Sequence, residues 1–182
     1  MCFSNNVKVI VMICKLIEKN KVKCANYWEK DINKYQIVRI GEESQLDEGL
    51  ILRKLEMKNK INSQFKNIYQ IQMTTWDDHT APINNYEKII KMINFIDKRK
   101  NDCPVVVHCS AGVGRTGTFI SMYNLYHEIS GQINNNNNTE INFSIMNLVR
   151  KLKEMRLYMV ENEEQYKLLY QLVNKLLQEK NI

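Results

Sequence analysis

Cys109 and Arg115 stand five residues apart, with His108 before the cysteine, Thr116 after the arginine, and Gly112, Gly114 and Gly117 in and just beyond the interval. A cysteine thiolate is a nucleophile. An arginine's planar fork can hold two phosphoryl oxygens at once, which a lysine ammonium cannot do bidentately. Six residues wound into a tight loop can turn their backbone N–H groups inward and form an anion nest at the start of a following helix. Ser110, Ala111, Gly112, Val113, Gly114 and Arg115 are therefore candidate phosphate-binding residues. A thiol in such a field has its pKa lowered from about 8.5 to roughly 3.5–7.5, so Cys109 is a candidate thiolate at neutral pH. His108 is expected to tune the loop by hydrogen bonding, and Thr116 to hydrogen-bond the sulfur when it becomes a leaving group.

Two other phosphate loops fit less well. Gly112-Val-Gly114-Arg-Thr-Gly117 matches the dinucleotide pattern GxGxxG. That fold needs a ribose-binding acid about twenty residues later, where this chain has five consecutive asparagines, Asn134 to Asn138. A Walker loop would close with Lys-Ser/Thr, and here Thr118-Phe119 follows the last glycine. The pattern favours a loop that holds one phosphate while a thiol attacks it.

The elements that must position this loop can be read from periodicity. Val7 to Cys14 is an apolar, β-branched run, and Tyr35 to Ile40, Leu50 to Met57 and Asn67 to Thr74 alternate like strands. From Ile83 the period changes: Ile83, Tyr86, Ile89/Ile90, Ile93 and Ile96 share one helical face, with Pro82 just ahead. Val105 to His108 reads as a short buried strand and Thr116 to Glu128 as a helix. Two more helices follow, one with Ile145, Leu148/Val149, Leu152 and Met155 inward, the other with Tyr166, Leu169/Tyr170, Val173 and Leu176/Leu177 inward. The expected fold is α/β, a central mixed twisted sheet flanked by helices. Residues 1–182 are read as a single domain, interrupted by an Asn-rich mobile loop at about 134–139.

The bulk properties exclude several classes. The net charge of +6 is scattered over short clusters with no basic stripe, so nucleic acid is not expected as a partner. Val9 to Ile13 is too short to span a bilayer, so no membrane insertion is expected. Five cysteines, an odd number without a CxxC pair or zinc-like spacing, point to a reducing, cytoplasmic setting and to no metal.

Four segments resemble the protein tyrosine phosphatases, in their phosphotyrosine-specific branch. "VHCSAGVGRTGTFI" looks like that family's phosphate loop, "ICKLIEKNKVKCANYW" is similar to its segment ending Lys-Cys-x-x-Tyr-Trp, "TTWDDHTAP" resembles its mobile acid loop, and "MVENEEQYKLLY" resembles its glutamine loop. The resemblance covers about Val9 to Leu177. It implies a cysteine-phosphatase fold without the N-terminal part of the family domain, a phosphotyrosine-containing protein as substrate, and no cofactor. It also implies two-step chemistry: Cys109 attacks phosphorus while Asp78 protonates the leaving oxygen, and water then hydrolyses the phosphocysteine with Asp78 as base. Glu18 would hold Arg115, Lys23 would lie near the acid loop, Trp76 would anchor its hinge, and Gln165 would serve the hydrolytic step.

The chain departs from the pattern in three places. The acid loop reads Trp76-Asp77-Asp78 where the family has Trp-Pro-Asp, which frees the backbone and sets two carboxylates side by side. Glu161 stands where the family carries the glutamine that positions water. The Asn-Arg-Tyr loop, whose tyrosine deepens the pocket, does not occur. An active tyrosine phosphatase is therefore weighed against a phosphotyrosine-binding module with impaired turnover and a shallow-pocket dual-specificity phosphatase.

Overall fold

A computed structural model describes residues 1–82, 85–135 and 141–179. The chain forms two compact units, Met1–Asp78 with Glu87–Ser110, and His79–Tyr86 with Ala111–Ile182.

The first unit is built on a six-stranded sheet. Its strands are β1 (Val9–Met12), β4 (Lys30–Ile32), β5 (Tyr35–Asp47), β6 (Leu50–Asn59), β7 (Phe65–Met73) and β8 (Val105–His108), in the order β4-β5-β6-β7-β1-β8. β4 to β7 are antiparallel, while β1 runs parallel to both β7 and β8. A strand with parallel neighbours on either side is buried on both faces and must be apolar throughout. Val9, Ile10, Val11 and Met12 are all buried, which is why this run does not alternate. A two-stranded ribbon, β2 (Ile17–Glu18) with β3 (Lys21–Val22), follows β1. Helix α1 (Tyr86–Lys100) buries Ile89, Met92, Ile93, Phe95 and Ile96, and Phe95 meets Tyr69 of β7 edge-on at 6.3 Å. The expected helix start at Ile83 lies outside the described residues.

The second unit is helical, with α2 (Gly114–Asn135), α3 (Ile145–Met155) and α4 (Glu163–Glu179). α2 buries Phe119, Met122, Leu125 and Ile129, and α4 buries Leu168, Leu169, Leu172, Val173 and Leu176, the spacing of single helical faces. Ser144 caps α3 by accepting from the Asn147 N–H at 3.2 Å. α2 runs seven residues past the expected end at Glu128, so Asn134 and Asn135 are helical; the rest of the expected Asn-rich loop lies outside the described residues.

Gly117 of α2 sits against the backbone of the α3–α4 connection. A Cβ there would lie 2.6 Å from Val160 N and 2.8 Å from Met159 Cα, whereas one at Gly131 would meet nothing within 4 Å. Gly117→Ala is expected to cost about 1–3 kcal/mol through overpacking. Gly131→Ala, in open helix, is expected to stabilise by up to about 1 kcal/mol. Thermal unfolding followed by circular dichroism checks the opposite signs; at this chain length each kcal/mol moves the midpoint by about 2–4 °C.

Candidate functional site

In the first unit β8 delivers two of the candidate residues, His108 and Cys109. His108 ends β8, opposite Met12 of β1, and its carbonyl accepts from the Ile13 N–H at 2.8 Å. Cys109 follows directly and is buried. A polar chain fixes the imidazole: Gln70 Nε2 donates to the Tyr27 hydroxyl at 2.6 Å, Tyr27 Oη lies 2.8 Å from His108 Nε2, and His108 Nδ1 lies 3.1 Å from the Cys109 carbonyl. A carbonyl can only accept, so Nδ1 carries the proton and Nε2 accepts from Tyr27. Burial pushes the His108 pKa below its ordinary value and the Tyr27 pKa above its own, which agrees with a neutral ring receiving a phenol proton.

The two adjacent aspartates are treated differently. Asp78 Oδ2 is 2.5 Å from Lys23 Nζ and its side chain is 23% exposed, whereas Asp77 is 3.5 Å from Lys15 and 59% exposed. Trp76, just ahead of them, is fully buried. Glu18 is buried and accepts from the Lys15 N–H at 3.0 Å.

In the second unit the loop residues lead into α2. Gly112 takes φ +71°, a conformation that disfavours any Cβ. The Ala111 carbonyl accepts from Arg156 Nη2 at 3.0 Å. Arg115 and Thr116, in the first turn of α2, are buried. A buried guanidinium requires compensating partners.

Glu161 faces this loop. A Cβ at Gly114 would lie 2.6 Å from Glu161 Oε2 and 3.2 Å from Gln165 Nε2. His79 Nδ1 stands 3.1 Å from the same carboxylate oxygen, and Asn162 Nδ2 donates to the His79 carbonyl at 3.0 Å. Gln165 Oε1 accepts from the Glu161 N–H at 2.8 Å and from Thr118 Oγ1 at 3.2 Å. Gln165 is fully buried, and its Nε2 has no protein acceptor among the described residues. Val160, immediately before Glu161, is held at φ +57°, unusual for a β-branched residue. That strain, of order 1–3 kcal/mol, fixes where Glu161 emerges.

Sequence reasoning did not find His79, Arg156, Gln70 or the Tyr27–His108 bond. Only Tyr27 carried a signal, through the Lys-Cys-x-x-Tyr-Trp segment.

A protein-tyrosine phosphatase family model matches residues 1–175. The tyrosine-protein phosphatase 2 of Dictyostelium discoideum is 31% identical over 173 residues, 93% of this chain and 45% of the relative. The crystal structure of the catalytic domain of human protein tyrosine phosphatase non-receptor type 18 is similar with a TM-score of 0.84 and 28% identity, covering 96% of this chain and 62% of that one. PTPN18 in complex with HER2 phosphopeptides is similar with a TM-score of 0.83 and 28% identity, covering 96% of this chain and 60% of that one. The chain belongs to the protein-tyrosine phosphatase family, and the mixed sheet with helices expected from its sequence is the fold of that family. It spans less than half the length of the curated relative.

Proposed function

We propose that residues 1–182 form part of one phosphatase domain that hydrolyses phosphotyrosine on cytoplasmic proteins through a phosphocysteine intermediate. The observation that carries this reading is the Cys109-x5-Arg115 loop, running from a buried cysteine at the end of β8 through Gly112 at positive φ into the N-terminus of the 22-residue helix α2. In the first step the Cys109 Sγ–P bond forms, the aryl P–O bond breaks, and Asp78 gives its proton to the departing oxygen. In the second, water attacks phosphorus, Asp78 takes back a proton, and sulfur leaves, hydrogen-bonded by Thr116. Charge spreads over the equatorial oxygens in transit, where the loop N–H groups and Arg115 stabilise it.

Ser110, Ala111, Gly112, Val113 and Gly114 supply the nest, and His108 orients it through the Cys109 carbonyl. By the family resemblance Glu18 would serve Arg115 as its counter-ion, and both side chains are buried. Lys23 holds Asp78, Trp76 anchors the acid loop, and the unmatched Gln165 amide is a donor for the hydrolytic water. Phosphotyrosine proteins as substrates are supported by the phosphopeptide-bound PTPN18 structure. A cytoplasmic setting is supported by five cysteines outside any disulfide pattern. No helix among the described residues is long and apolar enough to cross a membrane.

The contact of Glu161 with Gly114 favours a second reading, a phosphotyrosine-binding module with slow turnover. A carboxylate beside a phosphocysteine opposes attack by water through like-charge repulsion. Stopped-flow hydrolysis of para-nitrophenyl phosphate separates the readings. An enzyme gives a burst of one nitrophenolate per chain followed by sustained turnover; a module stalled by Glu161 at the phosphocysteine gives the burst and then almost nothing, and a folded chain that releases none only binds. Glu161→Gln is expected to raise the steady-state rate about 3- to 10-fold, about 0.7–1.4 kcal/mol of barrier. An unchanged or lower rate assigns Glu161 no such role.

A further inference from the structure

We propose that Cys14, Cys24 and His108 form a binding site for a thiophilic divalent cation of the zinc type, separate from the Cys109 nucleophile. One ligand atom from each of the three, two sulfurs and an imidazole nitrogen, lie within 4.8 Å of one another. The residues come from three separate segments, just after β1, just after β3 and at the end of β8, so no zinc-like spacing exists for the sequence to display.

The donor set suits such an ion. Two thiolates and one neutral imidazole balance a divalent charge, as burial demands. Three protein ligands leave a fourth tetrahedral position for solvent. At Zn–S distances of about 2.3 Å the sulfurs of a tetrahedral site stand about 3.8 Å apart. A cluster within 4.8 Å therefore closes with a shift of about 1 Å at most.

The ligands are also held in place. Cys14 is fully buried, its carbonyl accepts from Gln72 Nε2 at 2.8 Å, and the pairing of β1 with β8 fixes it relative to His108. The Cys24 N–H is bonded to the Leu16 carbonyl at 3.3 Å, and its side chain is only partly buried, which gives the ion an approach and the sulfur room to move. His108 has the outer partner that a metal-bound imidazole uses: Nδ1–H donates to the Cys109 carbonyl, leaving the Nε2 lone pair to the ion. That lone pair now accepts from Tyr27, so loading displaces the phenol proton from it. The lysines flanking the cysteines, Lys15 and Lys23, are turned to Asp77 and Asp78, which reduces their repulsion of a cation.

The test uses the full chain, reduced with a phosphine and stripped of metal, titrated with Zn²⁺ against a chromophoric chelator. One Zn²⁺ per chain is expected, together with protection of Cys14 and Cys24 from alkylation in peptide maps while Cys109 stays reactive. Cobalt in place of zinc should give a thiolate charge-transfer band. Cys14→Ser and Cys24→Ser are each expected to weaken binding at least about tenfold, and Cys109→Ser to leave it unchanged. Circular dichroism confirms folding, and protection in the unmodified chain depends on no variant. Unprotected Cys24 at saturating Zn²⁺, unchanged binding in a folded Cys24→Ser variant, loss of binding in Cys109→Ser, or a reduced chain that takes up no Zn²⁺ and forms only a Cys14–Cys24 disulfide in air would each overturn the proposal.

Discussion

Cys109→Ser is expected to lower the turnover of para-nitrophenyl phosphate by on the order of 10⁴-fold or more, the scale seen when a catalytic nucleophile is removed. The same variant should bind a phosphotyrosine peptide within a few-fold of the unmodified chain. The two expectations have different physical origins. Attack needs an ionised sulfur, and thiols at helix N-termini ionise near neutrality. A serine hydroxyl is far too weak an acid for the same field to ionise it. Binding needs the nest and a guanidinium, which the change leaves in place: Gly112 keeps φ +71° and Arg115 remains in the first turn of α2. Single-turnover kinetics and peptide titration by calorimetry provide the check. Turnover surviving in the serine variant would remove Cys109 from the mechanism. Loss of both activities in a folded variant would make the thiolate part of the binding site as well.

The loop was legible because its chemistry is local. Cysteine, glycines and arginine within seven residues mark a tight turn into a helix, and the valines of β8 are a continuous apolar run ended by that loop. β8 accordingly runs from Val105 to His108 as read, though its residues are half-buried where a buried strand was expected. Periodicity failed where pairing rather than burial makes the strand. β5 continues through the polar, exposed stretch Gly41 to Asp47 because β6 pairs with it across a bulge between Ile40 and Ser44. Lys30–Ile32 was missed for the same reason: an exposed edge strand of three residues has no face to bury. α2 outruns the reading because Ser130, Gly131 and Gln132 look like a stop, yet the helix continues through them. The contacts that surround the candidate residues were invisible altogether. Gln70, Tyr27 and His108 are 81 residues apart at their extremes and meet only through strand order. Glu161 reached Gly114 through a strained valine that no propensity anticipates.

Asp78→Ala is expected to reduce turnover by about 10²–10⁴-fold, the usual contribution of a positioned general acid, and Asp77→Ala by less than about 5-fold. The leaving group makes this prediction specific. A phenolate as poor as that of phosphotyrosine needs its proton during bond breaking, while para-nitrophenolate departs well without one. The Asp78→Ala deficit in the first step, read as the burst rate in single-turnover kinetics, should therefore be larger with a phosphotyrosine peptide than with para-nitrophenyl phosphate, and the Asp77→Ala effect should be the same for both. Structure separates the neighbours in the same sense. Asp78 is mostly buried against Lys23, and Asp77 is exposed beside Lys15. With no proline between Trp76 and Asp78 to fix φ, that ion pair is one restraint on the proposed acid. Lys23→Met should then reproduce part of the Asp78→Ala loss, and with the same dependence on leaving group. If Asp77→Ala proves the damaging change, or if the Asp78→Ala deficit is independent of the leaving group, the acid is not Asp78.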